Sequence, residues 1–367
     1  MSKAAELAKI GEVATSSQLG GRRNMLINGA MKVAQRGATG ATGALGDAIE
    51  MSNIDRYKIE AGSTAGRFTM KQTAITDLPG FAKCMELDCT TADTSIAAGE
   101  FIILAQYLEG QDVQQMKKGT SSAEVVTVSF YVKGNAAATH TLELRDNDNS
   151  RFNSQEFPVT TDWVRITRTF VGDTSGAFDD DTALSLKVNI WLHAGSTYTG
   201  GTHVSNAWGT TTNTRVGDNQ TSFVDATSRN LFITGYQVEV GSVATPFEHR
   251  SFGEELALCQ RYFTQWTQEA EGFTTNGFAA VGDAVVHADG FVFVQYTHPV
   301  DLRADPGITF NGSFVANIAS NDRAMSSLQV NVRTPHLTSF LAAIPDNNEI
   351  GKVGYVRASN DDDASIH

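Results

Sequence analysis

The residues best suited to chemistry gather in one stretch. "ALSLKVNIWLHAG" sets Lys187, Asn189, Trp191 and His193 at alternate positions, and the Thr-, Asn- and Gly-rich loop after it carries Tyr198 and Trp208. In an extended chain residues two apart share a face. An aromatic ring beside an amide, an ammonium and an imidazole is a set that takes sugars. The C–H face of the sugar stacks on the ring and the polar groups take its hydroxyls. The competing reading packs all three rings under the loop or against a neighbouring subunit. Acidic runs offer other chemistry. Asp179, Asp180 and Asp181 in "GAFDDDTALS" read first as a solvated turn, with a structural Ca²⁺ on their clustered hard oxygens as the alternative. "RDNDNSRF" alternates Asp146, Asp148 and Ser150 like a calcium loop. Arg151 stands where the sharp-turn glycine belongs and no Glu closes the loop, so a hairpin turn is expected.

Catalytic signatures are absent. There is no GxSxG, HExxH, P-loop or dinucleotide fingerprint, and "GATGATGALG" lacks the Lys a phosphate cradle needs. Glycan hydrolysis requires two carboxyls about 5–10 Å apart, and no motif points to such a pair. The expectation is a chain without catalytic residues or a cofactor, with a polysaccharide depolymerase as the lesser alternative. Cys84, Cys89 and Cys259 have no metal-type spacing and read as three small, unpaired thiols.

These side chains need elements to hold them. The chain has 367 residues, 41% hydrophobic and 19% charged, enough for two or three domains with cores of their own. A net charge of −13 without a basic block argues against nucleic-acid binding. No apolar run reaches about 18 residues, so no membrane insertion is expected. "MSKAAELAKIGEV" lacks a secretory h-region, which implies synthesis and folding in a cytoplasm.

From about Asn24 to Val240 the hydrophobic period is two. In "ALSLKVNIWLHAG" Leu184, Leu186, Val188, Ile190 and Leu192 face one way. Val126, Val128, Phe130 and Val132 make the inner face of "EVVTVSFYVKG", and Phe232, Thr234, Tyr236, Val238 and Val240 are expected on one face of "NLFITGYQVEVG". About ten such segments with polar, Gly-rich connections and no crossover helices predict an antiparallel sandwich. After "GSVATPFEH", Ser251 and Glu254 form a capping box. Phe252, Leu256, Cys259, Phe263 and Trp266 then recur at helical spacing, a stripe that either finishes a core or meets symmetry mates. At the N-terminus Leu7, Ile10 and Ala14 stripe a helix too short to stand alone. Beyond Trp266 the two-residue period returns, ending in a polar, acidic tail.

Three segments together, "RRNMLINGAMKVAQRG", "VTVSFYVKG" with "DWVRITRTFVGDTSGAF", and "LFITGYQVEVGSVATPFEHRSFGEELALCQRYF", resemble tailed-bacteriophage virion proteins of the tail fibre or tail appendage family. "HPVDLRADPGITF" resembles the Arg-Ala-x-Pro segment of their C-terminal domain. The "SFYVKG" strand and the closing "ITGYQVEVG" strand are also similar to the jelly-roll carbohydrate-binding modules found in glycoside hydrolases. The resemblance runs from about Asn24 to Phe310, is strongest over 231–263, and carries over no catalytic residue.

The fold expected is mainly β. A virion-anchoring helical segment (1–23) precedes an antiparallel jelly-roll β-sandwich (24–248). A linking helix (249–266) then leads to a smaller distal β-sandwich domain (267–367). The resemblance implies a homotrimeric structural protein on the particle exterior, made in the bacterial cytoplasm. Its partners would be other virion proteins and host cell-surface polysaccharide. The architectural alternative is a collar, capsid or baseplate fibre that binds virion proteins alone.

Overall fold

The alternating segments become two six-stranded antiparallel sheets whose apolar faces meet. A computed structural model describes residues 22–37, 42–45, 49–51, 53–267, 282–288, 290–311, 314–318, 321–345, 351–358 and 365–366. The striped helix of Leu7, Ile10 and Ala14 lies outside them. Two compact units divide the chain between Glu255 and Leu256.

In the first unit, one sheet runs β1 (Thr42–Leu45), β4 (Arg67–Ala74), β5 (Lys83–Thr91), β12 (Asn230–Val240), β7 (Val126–Gly134), β10 (Val164–Phe170). The other runs β2 (Ile49–Met51), β3 (Tyr57–Gly62), β6 (Phe101–Glu109), β11 (Leu184–Ala194), β8 (Ala138–Asp146), β9 (Arg151–Val159). Leu186, Val188, Ile190 and Leu192 of β11 join Val126, Val128, Phe130 and Val132 of β7 in one buried core, as their period requires. Phe130 meets Phe157 of β9 edge to face, ring centres 5.1 Å apart, and so ties one sheet to the other.

Strand β12 departs from simple alternation. Leu231 and Ile233 face the core, then Tyr236 and Val238 do. The register slips between Thr234 and Gln237, and Gly235 sits at φ +64°. A bulge with glycine in the left-handed region inserts one residue and turns the following side chains over. Phe232 and Thr234 are therefore not on the face of Tyr236. A second difference is β9, which the polar "NSRFNSQ" conceals. A third is Asn24–Gly37, which lies within the span read as having a two-residue period but is irregular: Asn28 and Met31 take φ near +60° and +55°. Asn28 makes this possible. Its side chain donates to Val33 O and Asp55 O and accepts from Val33 N, satisfying the backbone that a ladder would otherwise serve.

The segment is sealed by the loop after β12. Glu248 accepts from the Arg23 and Asn24 N–H groups, Glu255 accepts from Asn28 N, and Arg250 donates to Leu26 O and Asn24 O. Two of the recognisable motifs, more than 200 residues apart in sequence, thus close the same end of the sandwich.

The helix (α1, Phe252–Gln260) starts where expected, with Ser251 Oγ capping Glu254 N at 3.2 Å. It is shorter than the 249–266 span. Phe263 lies past its end, Trp266 belongs to a strand, and Phe252 is 56% exposed. Of the five-residue stripe only Cys259 is fully buried. No described helix is long and apolar enough to cross a membrane.

The second unit holds a seven-stranded antiparallel sheet. Its order is β18 (Asn321–Ala324), β17 (Phe314–Ile318), β21 (Val353–Ala358), β14 (Gly282–Ala288), β15 (Phe291–Thr297), β20 (Leu337–Ala343), β19 (Ser326–Arg333). A small sheet of β13 (Trp266–Thr267), β22 (Ser365–Ile366) and β16 (Phe310–Asn311) contributes Trp266 and Phe310 to its core. The end of the acidic tail is therefore strand: Ile366 pairs with both Trp266 and Phe310.

Candidate functional site

With the even-numbered apolar residues of β11 committed to the core, Lys187, Asn189, Trp191 and His193 must project from the outer face of the β2–β9 sheet. Register sets their neighbours. Lys187 lies opposite Tyr107 on β6 and Arg145 on β8; Asn189 lies opposite Ala105 and Glu143; Trp191 lies opposite Ile103 and Thr141. Lys58 and Glu60 extend the face on β3.

The loop after β11 folds back over this face and changes the fate of the expected sugar platform. Trp191 is wholly buried. The Tyr198 ring lies 5.0 Å from it and the Arg215 guanidinium 4.8 Å, while Val216 joins Trp191, Ile103 and Ala105 in a small apolar cluster. The ring is thus packed beneath the loop and cannot present a stacking face. Its Nε1–H donates to Glu143 Oε2 at 3.1 Å, and Asn189 Nδ2 donates to the same oxygen at 2.8 Å. Arg215 closes the cluster with two bonds to Glu143, Nε to Oε1 at 2.7 Å and a terminal nitrogen to Oε2 at 2.9 Å. Burial alone would raise the Glu143 carboxyl. The Arg215 charge and these hydrogen bonds outweigh it and hold the group below the ordinary carboxylate range.

His193 is buried as well. Nδ1 meets Ser222 Oγ at 2.8 Å and Nε2 meets Glu100 Oε2 at 3.2 Å. With Asp93 it forms a buried triad whose ligand-type atoms lie within 4.8 Å of one another. A zinc ion accepts such a donor set. The hydrogen bonds present, Asp93 to Thr64, Ala65 and Ser95, and Glu100 to the imidazole, account for the cluster as a structural network.

Trp208 is half-buried against the main core rather than beside Trp191. Its Nε1–H donates to Val171 O at 2.7 Å, and the Lys118 ammonium lies 5.5 Å from the ring. Lys118 is itself buried between Asp146 (2.5 Å) and Asp173 (3.2 Å), so Asp146 serves an ion pair and "RDNDNSRF" a β8–β9 hairpin. Asp179, Asp180 and Asp181 form an exposed turn in which Asp181 Oδ1 accepts from Ala183 N at 2.8 Å.

Of the six candidates, Lys187 and Tyr198 remain at the accessible margin of the loop. There the structure adds residues that the sequence concealed on three other strands. Lys187 Nζ bonds Glu60 Oε1 at 2.9 Å, and the Tyr107 hydroxyl donates to the same oxygen. The Lys58 and Lys187 ammonium groups each stand 4.6 Å from the centre of the Tyr107 ring. Arg145, half-buried, completes the group. Alternating polar residues in "HTLELRD" and "YKIEAG" are the only trace of this in the sequence.

The second unit has a cleft of about 210 Å³ lined by Tyr262, Tyr296, His298, Arg303, Asp305 and Pro306, built on the "RADPG" loop. His298 Nε2 bonds Thr338 Oγ1 at 3.1 Å, and burial pushes the imidazole below its ordinary range.

No family model matches the chain, and no curated protein matches it. Solved structures that resemble it include carbohydrate-binding modules. TmCBM61 in complex with β-1,4-galactotriose is 11% identical, with 60% of this chain and 99% of that one covered and a TM-score of 0.30. The CBM22-1 xylan-binding domain of Paenibacillus barcinonensis Xyn10C is 15% identical, with 55% and 100% covered and a TM-score of 0.27. The CBM22-1–CBM22-2 tandem of the same enzyme is 13% identical, with 89% and 97% covered and a TM-score of 0.27. Scores this low describe loosely alike β-sandwiches and carry no inference about ligand or role.

Proposed function

We propose that the chain is a non-enzymatic structural protein of a bacteriophage virion, a tail fibre or appendage, whose first unit attaches to host-surface glycan. The observation that carries this reading is the margin of the β2–β9 sheet, where the Tyr107 ring stands among Lys58, Lys187, Glu60 and Arg145. Such a face offers hydrogen bonds and an amphipathic ring without a deep cavity, which suits a long, polar polymer. Its carboxylates are engaged: Glu143 by Arg215 and Glu60 by Lys187 and Tyr107. A hydrolase would need one carboxyl kept protonated and another free. The virion role rests on the quoted resemblance, two of whose motifs meet where residues 23–28 bond Glu248, Arg250 and Glu255.

Residues 1–23 would dock to the particle, and the second unit would face outward on the virion exterior. The chain would be made in the bacterial cytoplasm and assembled as a homotrimer, where avidity lets each sugar contact stay weak. Exposed apolar side chains on one face of the seven-stranded sheet, Val285, Phe291 and Val353, favour such self-association or a virion partner.

The test applies purified full-length protein to a glycan array and to host capsule. Expected are glycan binding, no release of reducing ends, a trimer mass in light scattering, and antibody labelling of the tail or appendage in electron microscopy. A blank array with intact labelling would leave the architectural role; reducing-end release would establish a depolymerase instead.

A further inference from the structure

Arg145 stands on this face without a directly bonded partner. Among the described residues no hydrogen bond or ion pair engages its guanidinium. It is half-buried, directly across the strand pair from Lys187. Like charges in that position repel. Lys187 is compensated by Glu60 at 2.9 Å, and Arg215 by Glu143 at 2.7 Å. Arg145 has neither. Burial, and next the Arg215 charge, push it below the ordinary guanidinium range, yet a guanidinium remains charged in proteins. With Lys187 held by Glu60 and Arg215 by Glu143, Arg145 adds a positive charge to this face in a chain of net charge −13. Five N–H donors in a planar fork, partly stripped of water, form a site for a planar or tetrahedral oxyanion.

We infer that the glycan recognised is acidic, and that Arg145 takes its carboxylate or ester oxyanion while Lys187 supports the same charge and the Tyr107 and Tyr198 rings flank the sugar. This inference rests on the glycan-binding reading and narrows its ligand class.

Titration calorimetry with the full chain tests it, using oligogalacturonate, a sulfated galactan oligosaccharide, neutral xylan and dextran oligosaccharides, and polyglutamate. Expected is binding of at least one acidic saccharide, weakened tenfold or more by Arg145→Gln and less by Arg145→Lys. Thermal melting should not fall, because burial and the Arg215 charge oppose this guanidinium more than Glu143 and Glu60 favour it. The sulfated and uronate arms separate the two oxyanions. Equal binding of polyglutamate would overturn the assignment by showing that charge alone is read. Binding of neutral saccharides only, or an Arg145→Gln variant that binds as before, would overturn the acidic ligand and leave glycan attachment standing. No binding to any saccharide would overturn both.

Discussion

Arg215 and Glu143 form a two-bond ion pair, 2.7 and 2.9 Å, with the carboxylate wholly buried and the guanidinium packed on Trp191. This pair fastens the loop after β11 to the sheet. Removing one partner strands a buried charge, which costs about 3–5 kcal/mol. Arg215→Ala should therefore lower the denaturant midpoint sharply, while Arg215→Ala with Glu143→Gln recovers part of the loss. Because the folded Glu143 pKa lies below its unfolded value, its stabilisation is present above the unfolded pKa and fades as pH falls through the folded one. Melting curves across acidic pH should flatten in Glu143→Gln.

His140 supplies a second pH signature. It is fully buried, and burial pushes its pKa from 6.5 to about 4. Between those values the unfolded chain takes up a proton that the folded one refuses, so stability drops as pH falls from 6.5 toward 4. The difference approaches about 3 kcal/mol at about 1.4 kcal/mol per unit. His140→Leu should reduce the fall in melting temperature across that window; an unchanged profile would remove His140 from the account.

Trp191→Ala should cost about 3–5 kcal/mol, as large core truncations do. Trp191→Phe keeps most packing and loses the bond to Glu143, about 1 kcal/mol. Since Tyr198 and Arg215 cover the ring, Trp191→Phe should leave saccharide affinity within twofold. A tenfold loss with a normal melting curve would restore Trp191 as a contact residue.

Gly29 sits against β12, where an added Cβ would stand 2.1 Å from Tyr236 O. Backbone must shift to admit it, so Gly29→Ala should destabilise by about 1–3 kcal/mol. Calorimetry would read this as a lowered transition, and a wild-type melt would contradict the close packing of Asn24–Gly37 on the sandwich.

Phe291→Asp and Val353→Asp test the exposed sheet face. Val353 is 70% exposed and Phe291 46%, so Val353→Asp should leave melting of an isolated chain within about 0.5 kcal/mol and Phe291→Asp should cost about 1 kcal/mol. In sedimentation they should shift the proposed trimer to smaller species. A trimer that persists would place self-association elsewhere.

Periodicity alone picked out Val126, Val128, Phe130 and Val132 of β7 and Leu186, Val188, Ile190 and Leu192 of β11 as core, because alternation along a strand is a local property that burial of one face enforces; Leu184, expected with them, stays half-buried where the β11–β6 register shifts. The Ser251 cap was legible for the same reason: its donor and acceptor lie three residues apart. Tertiary structure decided whether an outward side chain meets water. Trp191, Asn189 and His193 alternate like surface residues, yet a loop returning from beyond residue 195 roofs them, and no local pattern records where a loop lands. It also brought Lys58, Tyr107 and Arg145 beside Lys187. Strand register sets cross-strand neighbours, and register is fixed by the packing of the whole sheet rather than by any one strand.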